Sequence, residues 1–418
     1  MPDFKFSLPP ITSLYPDQHL AYHPRQSMLV TGGPGSGKTV VTIFRFLRPV
    51  RENKDILLFT FNRTLIYSIR GTLRDRAEEL FGTLNEEQIE KIVETKLATF
   101  YQWHVDNVCY FNPQVTEDVC RVNFQNYISN KRGNIKIAEL FFDEGQDLPR
   151  SVYANVFKLA TSVSVGADKD QNFKGFYPSD NVEDIILEKL NNQSPSKWQY
   201  LSGNHRNTKE ICELAKKFVP DNLVLQGKSC NGLRSGNTPE IELGFNTTKQ
   251  LEYILRIITQ NPNSNIGILV HFKNKVIELK EYLEKQGYSC AANAASDKSF
   301  SYYYNKMNPV DEKVMMKKLK TPFITTYDSC KGLEFDIVIM PFFEQSNWAM
   351  TNTNDEGRYW ATRNHYYVAV TRARNDIFIL CEDKPNVLNF YNPPQSNQIK
   401  NSNYVSPAKD FLSDDLPF

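Results

Sequence analysis

The sequence predicts an α/β fold of two domains, each built on a mainly parallel sheet. Residues 28–31 form a short apolar run, which a glycine-rich turn and an amphipathic stretch follow directly. A second apolar run, residues 139–142, ends on two carboxylates. The second half repeats the pattern, with apolar runs at residues 265–270, 323–326, 336–341 and 376–380. Short apolar runs that alternate with helical stretches indicate the strands of a parallel sheet covered by helices.

Composition narrows the class of protein. The 418 residues are 40% hydrophobic and 23% charged, which is ordinary for a globular protein. The longest apolar run, residues 337–343, is too short to cross a bilayer, and residues 1–20 show no signal peptide. Seven scattered cysteines without a CxxC pair predict neither disulfides nor a zinc site, so we expect a cytoplasmic protein with no membrane contact. A net charge of +1 means that nucleic-acid binding would need a local groove.

The glycine-rich turn is the run GGPGSGKT at residues 32–39. Its glycines let successive backbone N–H groups face one anion, and the helix predicted over residues 38–47 adds the positive end of its dipole. A strand, this loop and a helix in that order indicate a phosphate-binding loop rather than a turn with a chance lysine. We expect Lys38 at the β/γ-phosphates and the Thr39 hydroxyl on Mg²⁺. The predicted ATP-binding residues of the loop are Gly33, Gly35, Ser36, Gly37, Lys38 and Thr39.

The second motif is the run DEGQD at residues 143–147, directly after the predicted strand. Asp143 is the expected carboxylate ligand of Mg²⁺, and Glu144 is expected to orient and deprotonate the attacking water. A solvated acidic turn is the alternative, and the phosphate-binding loop upstream argues against it. The two motifs together predict an ATP hydrolase.

Further runs stand in order along the chain. They are LYPDQ (14–18), LFTFNR (58–63), TFY (99–101), VGADKDQ (165–171), LSGNHR (201–206), TYDSCKGLEF (326–335) and YVAVTRAR (367–374). With the two motifs above, this order resembles the UvrD/Rep group of superfamily 1 helicases. The resemblance implies two RecA-like P-loop NTPase domains with the ATP site at their interface. It also implies an ATP-dependent helicase or translocase on single-stranded DNA, with RNA as the alternative strand.

The resemblance implies further residues at the nucleotide. The implied catalytic residues beyond Lys38 and Glu144 are Gln171, Arg206 and Arg372. The implied nucleoside contacts are Gln18 at the adenine edge, His205 as a stack on adenine, and Glu334 at the ribose. Since Arg372 would reach the γ-phosphate from the second domain, hydrolysis is expected to require domain closure. The chain departs from the family pattern at Asp328, where histidine is usual and where a carboxylate needs a nearby cation.

The resemblance also implies contacts with a single strand. They are Thr60, Phe61, Asn62, Thr99, Tyr101 and Phe176. Aromatic stacking tolerates any base, which suits a motor that does not read sequence. Core packing is the alternative for Phe61 and Phe176 considered alone.

We predict an N-terminal domain over residues 1–205 and a C-terminal domain over residues 206–385. Residues 71–140 would hold reduced accessory helices, and the large insertions that family members use in unwinding have no room in this chain. Translocation, 3′→5′ by resemblance, is therefore better founded than autonomous unwinding. DNA repair, replication or defence would be the setting.

Residues 386–418 are predicted to form a flexible tail, because residues 392–406 are polar and lack apolar periodicity. The end, DFLSDDLPF at residues 410–418, resembles the tip of bacterial single-stranded-DNA-binding proteins. A protein that captures such tips is the implied partner. The residues implied for that contact are Asp414, Asp415, Pro417 and Phe418. A merely solubilising acidic end, or an end that docks on this chain as an autoinhibitor, are the alternatives.

A different class of function also fits the motifs. An ATP-gated DNA-binding switch would close on nucleotide and recruit a nuclease or repair partner with little movement along a strand. The missing insertions and Asp328 favour this alternative.

Overall fold

The computed structural model shows two lobes, each a six-stranded sheet flanked by helices. It describes residues 3–4, 6–82, 85–131, 133, 135–172, 181–218, 233–291, 295–308, 310–312, 319–347 and 361–392. Every strand pairing within the two sheets is parallel. The predicted α/β class with parallel sheets is confirmed.

The first lobe contains strands β1 to β6 in the order β3-β2-β4-β5-β1-β6. The strands are β1 (Met28–Gly32), β2 (Ile56–Thr60), β3 (Leu97–Thr99), β4 (Ile137–Phe142), β5 (Ala160–Ala167) and β6 (Lys197–Leu201). The helices are α1 (Pro16–Tyr22), α2 (Lys38–Arg51), α3 (Arg63–Asp75), α4 (Ala77–Phe81), α5 (Glu86–Thr95), α6 (Phe100–Asn107), α7 (Glu117–Asn130), α8 (Arg150–Tyr153) and α9 (Val182–Asn191).

The second lobe contains strands β7 to β12 in the order β7-β12-β11-β8-β10-β9. The strands are β7 (Glu240–Glu242), β8 (Ile266–Val270), β9 (Ser301–Tyr303), β10 (Phe323–Thr326), β11 (Phe335–Met340) and β12 (Ala373–Leu380). The helices are α10 (Lys209–Lys216), α11 (Thr247–Gln260), α12 (Lys273–Lys285) and α13 (Arg363–Val370).

The central strands are buried on both faces, which explains their unbroken apolar sequences. All five residues of β1, β2 and β8 are buried. Strands β4, β5 and β1 are neighbours in the sheet and parallel, so the loops at their carboxyl ends meet at one edge. That edge carries the phosphate-binding loop and the DEGQD run.

Several predicted elements were shorter than the observed ones, β4 among them, which begins at Ile137 rather than at residue 139. Helix α2 continues past Leu47, through Pro49, to Arg51, because its buried face packs against the sheet. Strand β12 begins at Ala373 rather than at residue 376, because Ala373 already pairs with Phe335 of β11.

The N-terminal segment crosses from one lobe to the other. Phe4 packs against the second lobe. Its backbone N–H donates to the Leu319 carbonyl at 2.9 Å, and its ring stacks on that of Phe335 with centroids 4.9 Å apart. Two residues later, the N–H of Phe6 donates to the Ser68 carbonyl of α3 in the first lobe. The predicted domain over residues 1–205 includes this segment, and the domain bounds themselves stay a prediction.

The sequence predicted neither a membrane span nor disulfide bonds. Among the residues described, no helix combines the length and the apolarity that a membrane crossing requires. The six cysteines in that part of the chain are all free thiols.

Candidate active site between the lobes

The phosphate-binding loop joins β1 to α2. Gly35 and Gly37 have φ of 73° and 93°, values that glycine adopts without steric cost. A Cβ atom on Gly35 would lie 2.3 Å from a side-chain oxygen of the loop after β6, so the tight fold of the loop requires glycine. Lys38 is 8% exposed, and its ammonium donates to the carbonyls of Gly32 and Gly33 at 2.7 and 3.0 Å. The amine is therefore held inside its own loop.

The donor set around this loop fits a magnesium nucleotide. The Thr39 hydroxyl donates to Asp143 Oδ2 at 2.8 Å, so two hard oxygen ligands of the kind that Mg²⁺ prefers lie side by side. The buried Ser36 hydroxyl has no hydrogen-bond partner within the described residues, which leaves it available to a phosphate oxygen. Burial, and then the charge of Glu144, raise the pKa of Asp143 above its ordinary value. A divalent cation bound to Asp143 would stabilise the ionised carboxylate and so offset the cost of burying its charge.

Glu144 is held in a strained and buried position. Its φ of 59° lies in the left-handed region, which costs a non-glycine residue about 1–3 kcal/mol and is concentrated at functional sites. Gln146 Nε2 donates to Glu144 Oε2 at 2.7 Å, while Gln146 Oε1 accepts from the Asp168 N–H at 3.0 Å. Burial alone would raise the pKa of Glu144, but the charges of Lys331 and Lys38 outweigh it and lower that pKa. The carboxylate is therefore kept ionised, as a base must be.

Arg372 of the second lobe reaches the first lobe. Its guanidinium is 1% exposed and donates to Gln171 Oε1 at 3.0 Å. Gln171 Nε2 donates in turn to Asp168 Oδ2 at 2.6 Å, and the same oxygen lies 3.3 Å from the Lys38 ammonium. Burial, and then the nearby charge of Arg206, lower the pKa of Arg372 to about 10. A continuous series of contacts thus joins the second lobe to the phosphate-binding lysine.

Lys331, which the sequence did not single out, is a second contact between the lobes. Its side chain is wholly buried and forms an ion pair with Asp147 Oδ2. It also donates to the Gln171 carbonyl at 2.6 Å and lies 3.7 Å from Glu144 Oε2. Both partners lie within motifs noted above, Lys331 in TYDSCKGLEF and Asp147 at the end of DEGQD. The two residues are 184 positions apart, so the sequence carried no signal for this pair.

Arg206 lies between the phosphate-binding loop and the second lobe. Its Nε is 3.1 Å from Glu334 Oε2, and Arg374 Nη1 is 3.4 Å from the other oxygen of that carboxylate. A Cβ atom on Gly35 would lie 2.8 Å from the Cβ of Arg206, which places the arginine directly against the loop. The structure therefore brings together Lys38, Thr39, Asp143, Glu144, Gln171, Arg206, Glu334 and Arg372.

Two models of known protein families match parts of this sequence. A family model described as the UvrD/REP helicase N-terminal domain matches residues 15–107, in the first lobe. A model described as an AAA domain matches residues 234–384, in the second lobe. The two matches support a UvrD-like helicase. The chain is an ATP-hydrolysing nucleic-acid helicase whose site combines side chains of both lobes.

Solved structures give only distant likenesses to this helicase. The C-terminal domain of a possible DNA helicase from Lactobacillus plantarum WCFS1 is 15% identical over 45% of this chain and 94% of that one, with a TM-score of 0.30. The PRRSV helicase is 14% identical, and the match covers 85% of this chain and 52% of the viral one, with a TM-score of 0.34. Arterivirus nonstructural protein 10 (helicase) is also 14% identical, and the match covers 87% of this chain and 61% of the viral one, with a TM-score of 0.34. The present chain thus spans about half of the first viral protein and three fifths of the second, and similarity at these TM-scores is too low to support an argument. No curated protein sequence matches this chain.

The residues predicted for the adenine lie beside the phosphate-binding loop of the helicase. Gln18 is 4% exposed, and its amide donates to the Ser36 carbonyl at 2.9 Å and accepts from the Tyr15 N–H at 3.1 Å. The His205 ring stacks on Tyr15 with centroids 3.6 Å apart and planes at 4°. Tyr15 is a further residue that the sequence did not single out. The adenine roles of Gln18 and His205 stay predictions.

The predicted strand contacts of the helicase lie where the lobes meet. Thr60 and Asn62 are buried, and Asn62 Nδ2 donates to the carbonyls of Ser329 and Lys331 in the second lobe at 3.3 and 2.9 Å. Three others are half-buried, namely Phe61, Thr99 and Tyr101. Phe61 and Tyr101 line a cavity of about 10 Å³, room for a single water, which also reaches Glu144 and Asp147. These roles stay predictions, and Phe176 lies outside the described residues, as do Asp414, Asp415, Pro417 and Phe418.

Proposed function

We propose that this helicase is an ATP-driven translocase on single-stranded DNA that moves 3′→5′ in the cytoplasm during DNA repair, replication or defence. The observation that carries the proposal is the pair of buried contacts across the lobes. Arg372 reaches Gln171, and Lys331 reaches Asp147, so both lobes meet at the place where the γ-phosphate would lie. A change in that phosphate would therefore change the contact between the lobes, which is the movement that stepping needs.

Within this proposal each side chain has one task. Lys38 holds the β/γ-phosphates, Thr39 and Asp143 hold Mg²⁺, and Glu144 takes the proton of the attacking water. The metal ion would neutralise charge that develops on the phosphate oxygens. Arg206, Arg372 and Gln171 would stabilise the same charge from the interface. Because Arg372 comes from the second lobe and Arg206 is paired with Glu334 of that lobe, hydrolysis would be slow when the lobes are apart.

The strand would run across the first lobe at Phe61 and Tyr101. Base stacking on such rings contributes roughly 1–3 kcal/mol per base and does not depend on sequence. The small cavity shared by these rings with Glu144 supports a direct link between strand and hydrolysis.

The test is the ATPase rate of the full chain with oligo(dT), with the corresponding RNA, and without a strand. We expect stimulation by DNA, weaker stimulation by RNA, and loss of turnover in Glu144→Gln with nucleotide binding retained. Absence of stimulation by either strand would refute the proposal. Displacement of streptavidin from the 5′ end but not the 3′ end of a biotinylated strand would support 3′→5′ movement.

We further propose that the C-terminal residues recruit a protein that captures tips of single-stranded-DNA-binding proteins. The Phe418 ring would enter an apolar pocket with a basic rim, on which Asp414 and Asp415 would lie. Deletion of Phe418 should abolish capture by such a protein while the ATPase rate is unchanged. Equal capture by the deletion variant would refute recruitment.

One observation favours the ATP-gated switch as the second candidate. Asn62, a predicted strand contact, is bonded to the second lobe, so closure on nucleotide competes with a strand at this residue. A switch would hydrolyse ATP without displacing streptavidin from either end of a strand. The displacement assay therefore separates the two functions.

A further inference from the structure

A further ion pair, between Arg63 and Glu312, joins the lobes at the start of α3. Arg63 Nη1 donates to both oxygens of Glu312, at 2.9 and 2.8 Å. The Tyr67 hydroxyl donates to Glu312 Oε1 at 2.6 Å. Arg63 and Tyr67 belong to the first lobe, whereas Glu312 lies between β9 and β10 of the second. The carboxylate is thus inserted from one lobe into a set of donors on the other.

The two partners differ in their exposure. The Glu312 side chain is 10% exposed, whereas that of Arg63 is 38% exposed and retains access to solvent. Burial lowers the pKa of Arg63, but the Glu312 carboxylate outweighs it and raises that pKa. Burial, and then Glu312, raise the pKa of the Tyr67 hydroxyl well above its usual range. The guanidinium of Arg63 and the hydroxyl of Tyr67 therefore stay protonated and can donate hydrogen bonds to an anion at this position.

Arg63 also joins the two loops to which strand contact is assigned. It follows Phe61 and Asn62 directly, and its Nη2 donates to Gln102 Oε1 at 2.9 Å, next to Tyr101. A guanidinium between two such loops is placed to contact a phosphodiester oxygen, which has the charge and the acceptor geometry of a carboxylate. In this structure Glu312 has that position.

We propose that Arg63 is a phosphodiester-binding residue and that Glu312 is its internal competitor, which a single strand must displace before it can bind. This inference rests on the proposed function, because it assumes a strand along Phe61 and Tyr101. Displacement would also release Glu312 from Tyr67, so strand binding would free one contact between the lobes.

The opposite possibility is that Glu312 is a latch, which keeps the lobes in the arrangement that binds the strand. The two possibilities predict opposite signs for one substitution. Glu312→Gln removes the negative charge but keeps the shape of the side chain. If Glu312 competes, the variant binds the strand more tightly, and if Glu312 is a latch, the variant binds it more weakly.

The experiment measures the Kd of the nucleotide-free full chain for fluorescein-labelled oligo(dT) over a range of salt concentrations. We expect Glu312→Gln to lower Kd about three- to tenfold, and Arg63→Gln to raise it by a similar factor. The slope of log Kd against log salt should steepen by up to about 0.7 in Glu312→Gln. The strand releases a counterion when one phosphate binds Arg63, and in this variant no displaced carboxylate is left to take up a cation in exchange. The matched control is Glu90→Gln, which breaks the ion pair of Arg74 on the same helix but within one lobe and should leave Kd unchanged.

The outcomes separate this inference from the proposed function. Normal binding by the unmodified chain with an equal or higher Kd in Glu312→Gln would overturn the competition alone. An equal gain in Glu90→Gln would reduce the effect to net charge and would also overturn it. Absence of binding to any strand by the unmodified chain and by every variant would overturn the proposed function, and the competition with it.

Discussion

Substitution of Lys331 by methionine tests how the two lobes are coupled. Methionine keeps most of the length of the side chain but removes the ammonium, which pairs with Asp147 and donates to the Gln171 carbonyl. The carboxylate of Asp147 is 1% exposed when the lobes are together. Loss of one member of a buried ion pair costs about 3–5 kcal/mol, because the other charge stays away from water.

This cost falls on the closed arrangement, since separation of the lobes would let water reach Asp147. At 1.36 kcal/mol per factor of ten, closure would become about 10²- to 5 × 10³-fold less favourable. We therefore expect kcat/KM of the strand-stimulated ATPase to fall by about two to almost four orders of magnitude in Lys331→Met. Binding of a fluorescent ATP analogue to the first lobe should change less than threefold, because Lys38 and its loop are untouched.

The double variant Lys331→Met with Asp147→Asn supplies the control. Removal of the second charge abolishes the cost of burying it, so at least tenfold of the lost kcat/KM should return. The reasoning is wrong if Lys331→Met keeps kcat/KM within threefold of the unmodified chain. It is also wrong if the double variant is no more active than the single one.

Three further substitutions test the lobe contact and the first-lobe core. Gly332→Ala places a Cβ atom 2.6 Å from Leu65 across the interface, at a φ of 79°, so strand-stimulated ATPase should fall about tenfold, and adding Leu65→Ala should restore only part of it. Burial lowers the pKa of His104 and outweighs the effect of its bond to a backbone carbonyl, so the unfolded chain takes up a proton near pH 6.5 more readily than the folded chain. The free energy of unfolding should therefore fall as pH drops below 6.5, and His104→Gln should weaken that dependence, to which His205 also contributes. Arg45 is 1% exposed and donates to three backbone carbonyls, so Arg45→Met should lower the free energy of unfolding in urea by about 3 kcal/mol, whereas a change under 1 kcal/mol would contradict this account.

The nucleotide side of the site could be predicted because its residues lie in short contiguous runs. Residues 32–39 and residues 143–147 follow strands β1 and β4, which are parallel and separated only by β5, so both runs lie at one sheet edge. Residue type and spacing within each run therefore indicated the chemistry before any contact was known.

The contacts between the lobes could not be predicted in the same way. Lys331 and Asp147 are 184 residues apart, and Arg63 and Glu312 are 249 apart, so no local pattern links them. Asp328 illustrates the same limit. A carboxylate there was expected to need a cation, and His365 Nε2 lies 3.3 Å from it, a partner that only the fold identifies.

The crossing of the N-terminal segment has a mechanical consequence. The chain passes between the lobes once after β6, and the N-terminal segment adds a noncovalent connection where Phe4 is bound to the second lobe, so two connections join the same pair of bodies. Bodies joined at one point can swing about any axis through it, whereas bodies joined at two points can turn only about the line between them. Opening would therefore follow a single hinge axis, and removal of residues 1–5 would free the other rotations while leaving every residue of the nucleotide site in place.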